Sequence, residues 1–159
     1  MEQIRKNDIF EADIVGYTHD GSGVARIGGR AVFIPRTIEG ERWRIVIVKV
    51  TGSAVYGRAI EPLRLSPERT EPDCEAYPRC GGCTLRHMSY AEELRFKKQK
   101  VSDALEHIAG FSDALYGING SAATESYRNK AIYAVRDVDG KARKGFFSLN
   151  QHSRTLCRN

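Results

Sequence analysis

Along the first sixty residues, short apolar runs alternate with clusters of glycine and polar side chains. Residues 9–16, 31–34, 43–50 and 54–60 are rich in Val, Ile, Ala and aromatic side chains. Several alternate, as in Arg44-Ile45-Val46-Ile47-Val48-Lys49-Val50. A period of two marks a strand with one buried face. Between the runs lie turn formers, Asp20-Gly21-Ser22-Gly23, Gly28-Gly29 and Glu39-Gly40. Short strands at close spacing with glycine turns predict a small closed barrel, because closure leaves no strand edge exposed.

The pattern changes after residue 62. Residues 63–88 are irregular, punctuated by Pro67, Pro72, Pro78 and Gly81-Gly82. Ser89, with Glu92 three places on, reads as a capping box, and residues 90–108 set Leu94, Val101, Leu105 and Ile108 on one helical face. Gly110 stops this helix. Residues 127–147 alternate again around Asp139-Gly140, a hairpin signal. The expected architecture is mainly β with α, an α+β class. A barrel over residues 1–62 is followed by a small α+β domain over 63–159, with a cysteine-bearing loop, one long helix and an antiparallel hairpin.

Composition fits one ordinary domain or two small ones, with 159 residues of which 41% are apolar and 28% charged. The net charge of +5 becomes informative through its distribution. Residues 111–159 hold 8 Lys/Arg against 4 Asp/Glu, whereas the two earlier stretches are nearly balanced. The surplus points to a polyanionic partner for the last third. No apolar run approaches the roughly 20 residues of a membrane span, and the start has no apolar stretch of signal-peptide type. A cytoplasmic protein is expected, and there thiols stay reduced, so four cysteines suggest ligands, redox chemistry or burial before disulfides.

Cys74, Cys80 and Cys83 place three thiols within ten residues, on a loop just before the helix. Thiolates this close converge on one soft metal centre. Gly81-Gly82 removes Cβ bulk and permits positive φ, so the chain can fold tightly with backbone N–H groups aimed at sulfur. Buried apolar cysteines are the plainer alternative. A catalytic cysteine is disfavoured, since no acid–base partner stands beside these thiols.

The motifs also occur in a recognisable order. Asp20-Gly21-Ser22-Gly23-Val24-Ala25, Gly29-Arg30-Ala31-Val32-Phe33-Ile34-Pro35 and Glu39-Gly40-Glu41 resemble a TRAM domain, a small RNA-binding barrel of OB type. Cys74 to Cys83, then Tyr90, Leu94, Lys97 and Val101, then Tyr127-Arg128-Asn129-Lys130-Ala131 and Gly145-Phe146-Phe147, follow in order. Together they resemble the bacterial 23S ribosomal RNA (uracil-5-)-methyltransferases that bind a 4Fe–4S cluster.

That resemblance implies a cluster held by Cys74, Cys80 and Cys83, a 23S rRNA partner, and S-adenosylmethionine bound in a further Rossmann-like domain. The family's catalytic cysteine and general base also belong to that further domain, so no catalytic residue is expected in these 159 residues and the chain alone should not catalyse. The family's fourth cluster cysteine, counted from Gly145, falls just beyond Asn159, and Cys157 stands three residues earlier. Either a small deletion lets Cys157 serve, or the fourth ligand lies past Asn159. The ending Leu-Cys-Arg-Asn, with no helix end or tail, favours truncation.

An RNA-binding barrel needs cations for phosphates and flat groups for unstacked bases. Arg26, Arg30, Phe33 and Arg36 are the first candidates, although Phe33 between Val32 and Ile34 reads equally well as core. Arg128, Lys130, Arg143 and Lys144 form a later basic set. Two other classes remain open: a stand-alone RNA-binding module with structural zinc, for which Cys80 and Cys83 supply a CxxC half-site, and an iron–sulfur redox protein. The redox reading leaves the TRAM-like segment unexplained.

Overall fold

The computed structural model describes residues 4–112, 115–127, 129–148 and the backbone of 156–157. Within them the fold is mostly β with one helix, as the residue pattern predicts. Five strands, β1 (Ile9–Tyr17), β2 (Gly23–Ile27), β3 (Arg30–Ile34), β4 (Arg42–Val50) and β5 (Val55–Arg64), close into a barrel in the order β1-β2-β3-β5-β4. The β3–β5 pairing is parallel and every other barrel pairing antiparallel.

Alternation sorts the side chains. Ala12, Ile14, Ala25, Val32, Ile34, Ile45, Ile47 and Val55 face inward and are buried. The strand the pattern missed is β2. Only Val-Ala-Arg-Ile separates its glycine turns, too short a run to declare itself, yet without it β1 and β3 would each keep an open edge. Its first residue must be glycine, because a Cβ on Gly23 would lie 2.0 Å from Thr37 Oγ1 and 2.9 Å from Ile14 Cγ2.

Helix α1 (Tyr90–His107) begins at Ser89, whose hydroxyl accepts from the Glu92 N–H at 3.1 Å. Only half of the capping box forms. The Ser89 N–H donates instead to the Glu68 carbonyl at 2.8 Å, and the Glu92 carboxylate turns to the Tyr17 hydroxyl and Arg95. The buried side of the helix also differs from expectation. Glu92 and Phe96 are buried, Phe96 edge-on to Tyr17 at 5.3 Å, while Val101 and Ile108 stand exposed. Gly110 ends the helix as expected, at φ +73°, with the Phe111 N–H reaching back to the Leu105 carbonyl.

Packing divides the chain differently from its order. One unit comprises Met1–Thr70 with His87–Ile118, and the other Glu71–Arg86 with Asn119–Asn159. The helix therefore belongs with the barrel. In the second unit β6 (Ala134–Val138), β7 (Lys141–Phe147) and β8 (Leu156–Cys157) form an antiparallel sheet with β7 central. Asp139 and Gly140, both at positive φ, make the β6–β7 turn. No helix among the described residues is long and apolar enough to cross a membrane.

Candidate nucleic-acid interface and cysteine loop

The barrel carries two outer faces of different electrical character. On β1, β4 and the end of β5, arginines and carboxylates interleave: Arg42 lies 3.7 Å from Glu11 and 3.5 Å from Asp13, and Arg64 3.0 Å from Asp13. Arg44 pairs with Glu11 at 3.1 Å and also with Glu61. This face neutralises itself.

The other face, on β2, β3 and the start of β5, has no acid to do so. No Asp or Glu occurs between Asp20 and Glu39, or between Glu41 and Glu61. Arg26 on β2 and Arg58 on β5 are exposed, as is Lys49 near the end of β4. None of the three meets a carboxylate among the described residues. Cations held near one another without counter-charges attract a polyanion, and a phosphate backbone is the commonest one.

Phe33 sits on this face. Its neighbours Val32 and Ile34 point into the core and are buried, whereas Phe33 is half-buried on the outside. Its ring meets that of Tyr56 edge-on, with centroids 5.8 Å apart, and the two residues are register partners across β3 and β5. Tyr56 is exposed, and the Lys49 ammonium lies 5.9 Å from its ring centroid. The sequence reading passed over Tyr56, Lys49 and Arg58. The signal that finds them is the acid-free stretch between Glu41 and Glu61.

The other barrel candidates are more engaged. The Arg30 guanidinium donates to the Thr51 carbonyl at 2.8 Å and braces the β4–β5 turn. Arg36, at φ +64°, is half-buried, and its carbonyl accepts from Arg69 at 3.0 Å. In the later basic set Lys130, Arg143 and Lys144 are exposed. On the hairpin Arg143 faces Arg136 in register, and the Lys144 ammonium lies 5.7 Å from the Tyr133 ring. Arg128 lies outside the described residues.

A buried polar node secures the barrel. Glu41 has no exposed surface and accepts from Arg69 at 2.6 and 2.7 Å, Ile38 N–H at 2.9 Å and the Trp43 indole at 2.8 Å. Burial raises the affinity of the Glu41 carboxyl for its proton, but Arg69 and the two N–H donors outweigh it and hold the group below the usual range. His87 is buried beside this node. Desolvation, then the Arg69 charge, pushes its imidazole down to about 4, against a weaker pull from the Thr37 carbonyl and Glu41.

In the second unit the three cysteines share one closed loop. Asp73 and Arg86 join it at its base by paired hydrogen bonds of 2.5 and 2.7 Å. Inside, Tyr77 N–H donates to the Cys74 carbonyl at 2.9 Å and Cys80 N–H to the Ala76 carbonyl at 2.8 Å. Cys74 and Cys80 are half-buried, Cys83 is exposed, and all three are thiols. The Gly82 N–H points at Cys80 Sγ, 3.4 Å away, and a Cβ on Gly82 would press on the Phe146 ring at 3.0 Å. The missing Cβ and the N–H aimed at sulfur thus appear at Gly82 as expected, whereas neither Gly81 nor Gly82 adopts the positive φ that was expected of the pair.

The loop is stitched to β7, since Gly81 N–H donates to the Phe147 carbonyl at 2.9 Å and Cys80 bridges to Ser148. On β7, Phe146 is the register partner of Cys157. Backbone pairing therefore carries Cys157 to the strand that holds the loop, while its side chain lies outside the described residues. Among the described residues no three His, Cys, Asp or Glu side chains are gathered as a metal site. The structure brings the cysteine-bearing backbone together, and the sulfurs of Cys74, Cys80 and Cys83 are not gathered as one metal site.

A closed five-stranded barrel of this strand order, with a basic, aromatic, acid-free face, defines a small OB-like binding module, and residues 5–60 match the TRAM domain. Over a longer span, the chain is 39% identical across 94% of its length to a protein of Halalkalibacterium halodurans named an uncharacterized RNA methyltransferase, covering 33% of that protein. A protein of Caldanaerobacter subterraneus with the same description is 35% identical over 96% of this chain and 34% of its own length. The chain thus spans about a third of the length of these curated relatives. A crystal structure of Pyrococcus abyssi tRNA (uracil-54, C5)-methyltransferase with S-adenosyl-L-homocysteine covers 64% of this chain and 22% of its own, at 28% identity. Its TM-score of 0.42 is too low to carry a structural argument.

Proposed function

We propose that this chain is the RNA-holding, cysteine-bearing portion of an S-adenosylmethionine-dependent RNA (uracil-C5)-methyltransferase, with 23S rRNA as substrate. The observation that carries the reading is the acid-free face of the TRAM barrel, where Arg26, Lys49 and Arg58 stand uncompensated. Similarity to proteins named RNA methyltransferases over 94% of the chain supports it. The exposed Lys130, Arg143 and Lys144 extend the basic character to the second unit, and Arg128 is assigned to the same set. Cofactor binding and methyl transfer are assigned to sequence outside these 159 residues.

The cysteine loop is assigned a 4Fe–4S cluster, with Cys74, Cys80, Cys83 and Cys157 as ligands. Soft thiol donors, the Gly82 N–H on Cys80 Sγ and the backbone route from the loop through β7 to Cys157 fit such a group. When bound, a cluster would supply the loop with folding energy. Structural zinc on the same thiols is the competing assignment, separable by the brown colour and iron content of anaerobically purified protein.

The test of RNA holding compares two pairs of arginines. Replacing Arg26 and Arg58 with Ala should weaken binding to structured rRNA fragments and flatten the plot of log affinity against log salt by about one to two. Replacing Arg42 and Arg44, already paired with carboxylates, should change that slope much less. Equal losses from both pairs would show diffuse charge alone, and no salt-dependent binding would remove the RNA role.

A further inference from the structure

The acid-free face also holds the most exposed aromatic ring of the barrel strands, and this deepens the reading above and rests on it. Tyr56 is 41% exposed. Its backbone neighbours Val55 and Gly57 are buried, so the ring stands on the outer surface of β5. Phe33 fixes the ring from the side, edge-on at 5.8 Å and an interplanar angle of 67°. At that angle the two rings cross without stacking face to face. The Lys49 ammonium lies 5.9 Å from the Tyr56 centroid, on a side chain that is itself exposed.

Cations bracket the ring pair. Strand registers set Val24 opposite Phe33 and Arg26 opposite Ala31, so Arg26 lies two residues along the sheet in one direction. Arg58 lies two residues along β5 in the other. At about 3.3 Å per residue, each is about 7 Å from the rings along its strand. No carboxylate interrupts this strip, because β2, β3 and the first six residues of β5 contain none.

From this geometry we infer that the Phe33–Tyr56 pair is a stacking platform for one unpaired RNA base, with Lys49 placed for its phosphate. An arriving base occupies the open Tyr56 face. The Lys49 ammonium leaves the ring for the adjoining phosphate oxygen, and Arg26 and Arg58 hold the backbone on either side. A paired base cannot reach the platform, since both its faces are already stacked in the helix. The face therefore selects single-stranded RNA by access and not by base identity, as stacking on an aromatic side chain accepts any base. Phe33 acts as a positioning residue and Tyr56 makes the contact.

The experiment uses the chain with a mixed-sequence single-stranded RNA oligonucleotide and with the same strand annealed to its complement. Tyr56→Ala should weaken single-strand binding about tenfold and leave both duplex binding and the salt slope unchanged, because no phosphate contact is removed. Tyr56→Phe should bind as the parent does. Both substitutions are on the surface, and unchanged Trp43 fluorescence confirms the fold. Full single-strand affinity in Tyr56→Ala, or equal losses on single strand and duplex, would overturn the platform while salt-dependent binding through Arg26 and Arg58 left the RNA reading standing. Absence of salt-dependent binding to either probe overturns that reading and the platform with it.

Discussion

His87 should make the barrel unit lose stability on mild acidification. It is 1% exposed and packs beside Arg69, Arg36, Glu41 and Thr37. In the folded chain it takes a proton only at about 4, against 6.5 without the surrounding structure. As pH falls below 6.5 the unfolded chain binds a proton that the folded chain refuses, so acid draws the equilibrium toward unfolding. The contribution of neutral His87 is complete above pH 6.5 and declines until the folded imidazole titrates. At about 1.4 kcal/mol per pH unit between the two values, the full loss is about 3 kcal/mol. Roughly half of it falls between about pH 6.5 and about pH 5, a window above the Glu41 titration. Trp43 is the only tryptophan and donates to Glu41 in the same node, so its fluorescence follows this unit. Urea denaturation at about pH 7 and about pH 5 should show the midpoint falling in the parent. In His87→Gln, which is less stable at neutral pH, the midpoint should stay nearly level. An equal fall in both proteins would refute the argument, because the pH dependence would then belong to other groups.

Two further outcomes test the packing. Glu41→Gln leaves the Arg69 guanidinium without its charge partner beside the core and should cost about 3 kcal/mol, read as a large drop in thermal midpoint by circular dichroism; an unchanged midpoint would show the node to be energetically idle. Gly23→Ala places a methyl group against Thr37 Oγ1 and Ile14 and should cost about 1–3 kcal/mol, whereas Gly52→Ala, with open space around it, should be nearly neutral; similar melting of the two variants would contradict the close approach at β2.

The barrel was legible where burial imposes a period of two. Ile45 and Ile47, or Val32 and Ile34, announce their strands because one face of each is in the core. The Asp139-Gly140 turn was legible because both residues tolerate the positive φ it requires. The polar node was not. Glu41 and Arg69 are far apart in sequence, and hydrophobic periodicity cannot signal a carboxylate in a core when a distant guanidinium is what makes its burial tolerable. The helix misled for a related reason. Its apolar residues Val101 and Ile108 were read as the packed face, but Phe96 and a hydrogen-bonded Glu92 take that place. Likewise alternation does not single out Tyr56, and the β3–β5 pairing is what reveals it as the partner of Phe33.

The neck at which the chain leaves and re-enters the barrel unit has a consequence for how such proteins can change. The Thr70 N–H meets the His87 carbonyl at 3.0 Å, and Arg69 bridges to Met88. The sixteen residues between, 71–86, are thus an excursion whose two ends are already fastened to each other by main-chain bonds of the barrel unit. A segment mounted in this way can be lengthened, shortened or stripped of its cysteines without altering any bond that closes the barrel. The cysteine loop and the barrel can therefore be inherited separately: a descendant could lose the first and keep the second by changes confined to one loop.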